Sequence, residues 1–377
     1  MSFTVDVAAL AGLPPLLNRL DEDAQAGRAY EDKNTHLAGG EGIFNLVLGG
    51  HRTAVARVDA FFDALDTVAG QESGRVTSAI DGYRRTDLAA AAKLDATMPT
   101  IPGVPWVQDD ESGSYGFKDR LEPQAAMTAP ADYSADYGFE MKWYSYLSPT
   151  SYVRSIVWEV TSLATRLGIC DRPIDVFTEW LKPWLGDWAG FRACADVNEN
   201  LGNATISMFG NVRSGAADSQ FAWTGNAADA CRRDLNTIAT ALQQAGPKLS
   251  ELAAEYKSVA ESTFKLADAV TGLLVVAIDL AVMALLELEA AAATSETVVG
   301  AVAFGGAAAA TVWEIFEIAS KILDCIKLAE NGAKAFSSGL AGFSIIDPKG
   351  PLPALALDST TSPSSGGRTR PPERRRS

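Results

Sequence analysis

Two histidines and four cysteines, with no Cys-x-x-Cys pair, are all that this 377-residue chain offers to metal binding or histidine-based catalysis. Cys170, Cys194, Cys231 and Cys325 keep no fixed spacing to His36 or His51, which argues against a zinc or iron–sulfur site. A helical hairpin turning near residue 221 would set Cys194 opposite roughly residue 248, about 25 Å from Cys231, so separate buried thiols are expected and not a disulfide. Neither histidine has a recognisable catalytic partner nearby, and Asp109-Asp110-Glu111 reads as a solvated acidic run. Gly39-Gly40-Glu41-Gly42 is not followed by the Lys-Ser/Thr of a phosphate loop. The expectation is a protein with no enzymatic activity, no cofactor and no metal.

Positive charge is also scarce. A net charge of -15 leaves no basic body to neutralise phosphates, which excludes nucleic acid as the expected partner. From Asp347 onward six Lys+Arg face three Asp+Glu, a net of +3, so the remainder carries -18 against -15 for the whole chain. The first 23 residues hold Asp6 and the pair Pro14-Pro15 instead of a basic start and an apolar run, so no Sec-type signal peptide is expected. No apolar run reaches the roughly 20 residues of a membrane span. Residues 270–286 are broken by Asp279, and residues 298–313 are uncharged but short and rich in Ala and Gly. They are expected to be buried core helices, with membrane association as the competing reading.

What is present is helical periodicity, over a composition 47% hydrophobic, enough for a sizeable core. Leu10, Leu13, Leu16, Leu17 and Leu20 recur every three to four residues, and the spacing predicts a helix over residues 14–36 with proline in its first turn. Glycines from Gly39 to Gly50 are expected to break it. Val55, Val58, Phe61, Phe62, Leu65, Val68, Ile80, Tyr83 and Leu88 then continue as a second stripe. Residues 1–93 therefore read as a helical hairpin. Residues 94–148, dense in Pro, Gly and aromatics, read as a connector laid on the helical body. Residues 149–345 read as a longer helical domain. Within it a helix is expected to open at Ser148-Pro149 and stop at Gly168, and another to open at Asp171 and Pro173 carrying Ile174, Phe177, Trp180, Leu181 and Trp184. A long run from Trp188 passes Phe191, Cys194, Val197, Leu201, Ile206, Phe209 and Val212. It is expected to turn over Ser214-Gly215 and residues 220–225, and to return with a kink at Gly246-Pro247. Residues 346–377 read as a disordered Arg/Pro/Ser tail. The fold class expected is all-α, an elongated helical bundle.

Two short motifs sit at the ends of these units. Trp223-Thr224-Gly225 followed by Asn226-Ala227-Ala228-Asp229-Ala230 combines a glycine for a tight turn, small residues for close helix approach and a flat amphipathic ring. It resembles the turn of the Trp-x-Gly helical hairpins exported by the type VII, or ESX, secretion systems of actinobacteria, with residues 187–270 matching that hairpin layout. Trp184-Leu185-Gly186 and Trp188-Ala189-Gly190 fit the bare pattern too, but lie at the start of the first long helix. Tyr83-Arg84-Arg85-Thr86-Asp87 resembles the Tyr-x-x-x-Asp/Glu signal of the partner hairpin, whose i and i+4 positions share a helix face. Tyr115 to Asp119 has the same spacing in a glycine-rich loop. The whole order is similar to a PE module fused to a PPE module, as in EspB-type substrates, although the first hairpin lacks a Pro-Glu start and turns on glycines.

The resemblance implies a non-enzymatic protein, made in the cytoplasm and carried outside it by a type VII system, acting through protein interaction or self-assembly. Tyr83, Asp87, Trp223 and Gly225 would form the export signal, with Tyr83 and Trp223 close together at one tip. The implied partners are the secretion ATPase, a Trp-x-Gly partner or chaperone, and further copies of the chain. Arg368, Arg370 and Arg374 to Arg376 are able to touch anionic lipid, against the plainer reading of a solvated tail. The alternative is a membrane-translocation module, related to the front ends of type VII toxins, whose apolar helices insert in a bilayer.

Overall fold

The computed structural model describes residues 3–104, 116–137, 152–166, 172–293 and 298–345. The helix start at Ser148-Pro149, the stop at Gly168, Cys170, Tyr115 and the tail lie outside the described residues. The protein is an all-α helical bundle with almost no strand.

After a two-residue strand β1 (Thr4–Val5) and a single turn α1 (Val7–Leu10), helix α2 runs Leu13–Asn34 and helix α3 runs Gly42–Arg85. Asp6 caps α1 by accepting from the Ala8 and Ala9 amides, and Pro14 and Pro15 enter α2 where proline costs no hydrogen bond. All five leucines of the first stripe are buried. The break between α2 and α3 is shorter than the glycines suggest, since Gly49 and Gly50 lie inside α3. The reason is packing: a Cβ on Gly50 would stand 2.8 Å from Ser337 Cα, so this glycine admits a neighbouring helix. Short helix α4 (Leu88–Asp95) follows, capped by the Asp87 carboxylate on the Ala89 amide.

The connector touches the body through side chains of the helices it crosses. Phe117 is buried and its amide donates to Asp218, while Asn211 accepts from the Arg120 and Leu121 amides and donates to the Leu121 carbonyl. A 3₁₀ turn (Pro123–Ala126) and a helical turn α5 (Ser134–Tyr137) are the regular pieces among its described residues.

Helix α6 (Tyr152–Arg166) buries Ile156, Val157 and Val160. The helix expected after Pro173 is replaced by one π turn (Phe177–Leu181) running into a 3₁₀ turn (Lys182–Trp184), because Pro183 cannot donate into a continuing α ladder. The anchors Ile174, Trp180, Leu181 and Trp184 are still buried. Helix α7 (Trp188–Ala222) and helix α8 (Asn226–Ala293) then form the central antiparallel pair. Asp187 caps α7 on the Gly190 amide, which makes Trp188-Ala189-Gly190 a helix start.

No turn forms at Ser214-Gly215. Helix α7 continues to Ala222, Gly215 packs against Leu16, and the reversal is confined to residues 223–225. Helix α8 runs unbroken through Pro247, and at that level Gly202 and Gly246 bring α7 and α8 close, a Cβ on Gly202 standing 3.0 Å from the Gly246 carbonyl oxygen. Ile206 is exposed where burial was expected, since the buried line of α7 passes instead through Ala204, Thr205 and Met208. Helix α9 (Val298–Gly342) returns along α8 and packs on α3. Cys194 and Cys231 are buried free thiols, whereas Cys325 is a half-buried free thiol packed against the edge of the core.

The apolar stretch 270–286 is a core helix on one side only. Val270, Leu274, Ala277, Ala281 and Ala284 are buried at helical spacing, while Val275, Val276, Val282, Met283 and Leu286 face outward.

Candidate functional site

The C-terminal end of α3, the turn between α7 and α8, the N-terminal strand and α4 converge at one tip. Trp223 and Thr224 are extended (β2, Trp223–Thr224) and pair antiparallel with β1, Thr4 opposite Thr224 and Val5 opposite Trp223. The Thr4 amide donates to the Thr224 hydroxyl at 3.0 Å, and the Asp6 amide donates to the Ala222 carbonyl at 2.7 Å. The Trp-x-Gly turn is therefore held by a strand supplied from the start of the chain.

The aromatic rings stack in sequence across this ribbon. Phe3 lies 5.7 Å from Tyr83, and Tyr83 lies 5.8 Å from Trp223 with the planes at 74°, an edge-to-face pair. Trp223 is only 3% exposed and Tyr83 is half-buried. Burial pushes the Tyr83 phenol up to about 12; the Trp223 indole opposes that shift, while Asp95 and Cys231 reinforce it. The phenol is accordingly neutral across physiological pH.

Gly225 has φ +128, a backbone region that side chains avoid, and a Cβ there would meet the Asp95 Oδ2 at 2.6 Å. Asp95 reaches in because it caps a distant helix: its carboxylate accepts from the Asn226 and Ala227 amides, both at 2.9 Å, at the start of α8. Asn226 answers by donating to the Asp95 and Met98 carbonyls at 3.0 and 3.1 Å. The last turn of α4 is thereby locked over the glycine.

Of the four residues expected at the signal, the structure brings Tyr83 and Trp223 together and places Gly225 beside them. Asp87 departs from expectation. Helix α3 ends at Arg85 and Thr86 is extended, so Asp87 does not share a helix face with Tyr83; it is exposed and serves as the cap of α4. Leu88, Leu94, Met98 and Phe221, on the elements that build the tip, are exposed large apolar side chains. Sequence reasoning missed Asp95 and the strand at residues 4–5. Asp95 contacts Asn226 across 131 positions, which no local pattern announces, and Thr4-Val5 is too short a β-branched pair to stand out.

Titratable groups also gather at the far end of α3. His51 is buried with Nδ1 2.8 Å from the Tyr256 hydroxyl, a partner not visible in sequence, and burial lowers its pKa to about 4. Burial likewise raises Glu31 to about 8, helped by Asp59 and Asp32, and pushes Tyr256 and Cys194 well above their usual values. The charged forms of all four are disfavoured near neutrality, an arrangement suited to packing. A cleft between α2 and α3 is lined by Glu31, Asp32, Asp59, Asp63 and Asp66 around Arg28, which pairs with Asp59 and Asp63. Beside it the Asp21 carboxyl, hydrogen-bonded to Asp66, is raised to about 6. Among the described residues no group of three or more His, Cys, Asp or Glu is arranged to hold a metal ion.

No family model, curated protein or solved structure matches the chain.

Proposed function

We propose that this protein is a substrate of a type VII (ESX) secretion system, carried out of the cytoplasm to act by protein interaction or self-assembly and not by catalysis. The observation that carries the reading is the edge-to-face contact of Tyr83 with Trp223, two residues 140 positions apart that belong to separate motifs. A chance pair of short motifs in an unrelated helical protein has no reason to meet. The exposed Leu88, Leu94, Met98 and Phe221 on the same elements support a tip that is docked by a protein, with the secretion ATPase as the reader and a Trp-x-Gly protein or chaperone as a companion. Asp87, exposed and charged beyond the end of α3, would be read together with the end of the helix and not as part of its face.

The test is the amount of protein in culture filtrate against cell lysate, in the host that encodes it. Tyr83→Ala and Trp223→Ala are expected to lower the filtrate signal at least tenfold at unchanged lysate level. Both side chains are packed, so Asp87→Asn, which keeps the cap of α4, and Leu94→Ser, which alters an exposed position, separate recognition from folding. Wild type confined to the lysate, or all four variants exported like wild type, would overturn the proposal.

A further inference from the structure

Helices α2 and α3 turn acidic edges toward each other. On α3, Asp59, Asp63 and Asp66 recur at i, i+4 and i+7 and share one face; on α2, Asp21, Arg28 and Asp32 recur at i, i+7 and i+11. The cleft between them is a cavity of about 370 Å³ lined by the carboxyl groups of Glu31, Asp32, Asp59, Asp63 and Asp66 and, among the described residues, by a single cation, Arg28. Arg28 is engaged by Asp59 and Asp63. Glu31, Asp32 and Asp66 make no ion pair among the described residues, although Glu31 is only 2% exposed. Asp66 is instead hydrogen-bonded to Gln25 and to Asp21, and two carboxyl groups make such a contact only by sharing a proton. The cleft is short of positive charge.

We infer that this cleft holds the chain's own arginine-rich segment, Arg368, Arg370 and Arg374 to Arg376, through guanidinium–carboxylate pairs. The charges are complementary: the segment sets these five arginines against one acidic residue, Glu373, in a protein of net charge -15. A guanidinium is a planar fork that donates to both oxygens of a carboxylate. In an extended chain alternate side chains recur every ~6.6 Å, near the ~6 Å of helix rise between Asp59 and Asp63. The described body also ends close by. The Ser337 hydroxyl of α9 donates to the Leu46 carbonyl, and the Leu340 carbonyl accepts from Arg57 at 3.0 Å, so α9 ends alongside α3 near the level of Asp59. At 3.6 residues per turn the acidic edge lies on the opposite side of α3, half-way round a helix ~10 Å across. The 22 residues 346–367 reach at most about 75 Å, and about 25 Å as a coil, which is enough to round it. A tether of that length sets a local concentration in the millimolar range, so pairs too weak to retain a free peptide are occupied within the chain. The inference does not depend on the export reading.

The experiment uses the full chain carrying Arg374→Lys, Arg375→Lys and Arg376→Lys, which keeps the charge and supplies amines, treated with a zero-length carbodiimide that joins an amine to a carboxylate it touches. Peptide mass spectrometry is expected to place the cross-links on Asp32 and on the Asp59 to Asp66 stretch of α3, in preference to more exposed carboxylates such as Glu251 and Asp324. Their yield should fall at least tenfold in about 0.5 M sodium chloride. Asp63→Lys, at an exposed position, should lower the yield at the remaining Asp59 and Asp66 about as much while leaving thermal unfolding unchanged. Cross-links spread over the body in proportion to exposure, or none at all, would overturn the inference. So would cross-links that join isotopically light to heavy chains in a mixture of the two, which would assign the cleft to the arginines of a second copy.

Discussion

At Gly225 a single methyl group would meet two obstacles at once, a φ of +128 and the Asp95 carboxylate. Gly225→Ala is expected to destabilise the protein by about 2–3 kcal/mol. Asp95→Ala, which strips the caps from Asn226 and Ala227, should cost about 1–2 kcal/mol. The two costs should not add, because removing the carboxylate relieves the clash; urea unfolding of both singles and the double checks this. At the far end of α3 the pH dependence has two opposite signs. His51, at about 4 when folded against an ordinary 6.5, contributes stability that stands above pH 6.5 and is lost as pH falls through 4. Glu31, at about 8 against an ordinary 4.5, contributes stability that stands below pH 4.5 and is lost as pH rises through 8. At their limits His51 is worth on the order of 3 kcal/mol and Glu31 on the order of 5 kcal/mol. Glu31→Gln should flatten the decline between pH 4.5 and 8, and His51→Asn should reduce the acid-side decline, both read from unfolding midpoints across that range.

The elements differ in how far they were legible. Stripes such as Leu13, Leu16, Leu17 and Leu20, or Phe61, Phe62 and Leu65, depend on neighbours within a turn or two and announced α2 and α3 directly. Glycine was misread at Gly50 and Gly215, because a glycine that admits a packed neighbour looks, in one dimension, like one that breaks a helix. The approach of Tyr83 to Trp223 was expected only through resemblance; the clamp of Asp95 on Asn226 and the pairing of β1 with β2 join residues more than 100 positions apart and leave no local trace. That pairing makes a prediction at its own scale. Deleting residues 2–5 removes Phe3 from Tyr83 and opens the ring to water, so the Tyr83 phenol should titrate below its present value of about 12. Ultraviolet phenolate titration, with Tyr83→Phe subtracted, reads it.

Across the whole molecule, packing is uneven. Phe44, Trp188, Phe191, Tyr256 and Phe336 interlock where α3, α7, α8 and α9 cross, while Val275, Val276, Val282, Met283 and Leu286 on the outer side of residues 270–286 are exposed. Amide hydrogen exchange in buffer should therefore be slowest around Phe191 and Tyr256 and much faster in late α8. The N-terminal strand carries a different consequence, one of timing. Thr4 pairs with a threonine 220 positions later. At about 5–20 residues per second a ribosome needs on the order of 10–40 s to supply that partner, so Thr4 and Val5 wait unpaired for that time. A product cut short before Thr224 can build the α2 and α3 hairpin but never the ribbon that joins Tyr83 to Trp223. An assembled tip, with Tyr83 on Trp223 and β1 on β2, is therefore a structure that exists only once translation has passed Thr224 and two distant segments of the chain have met.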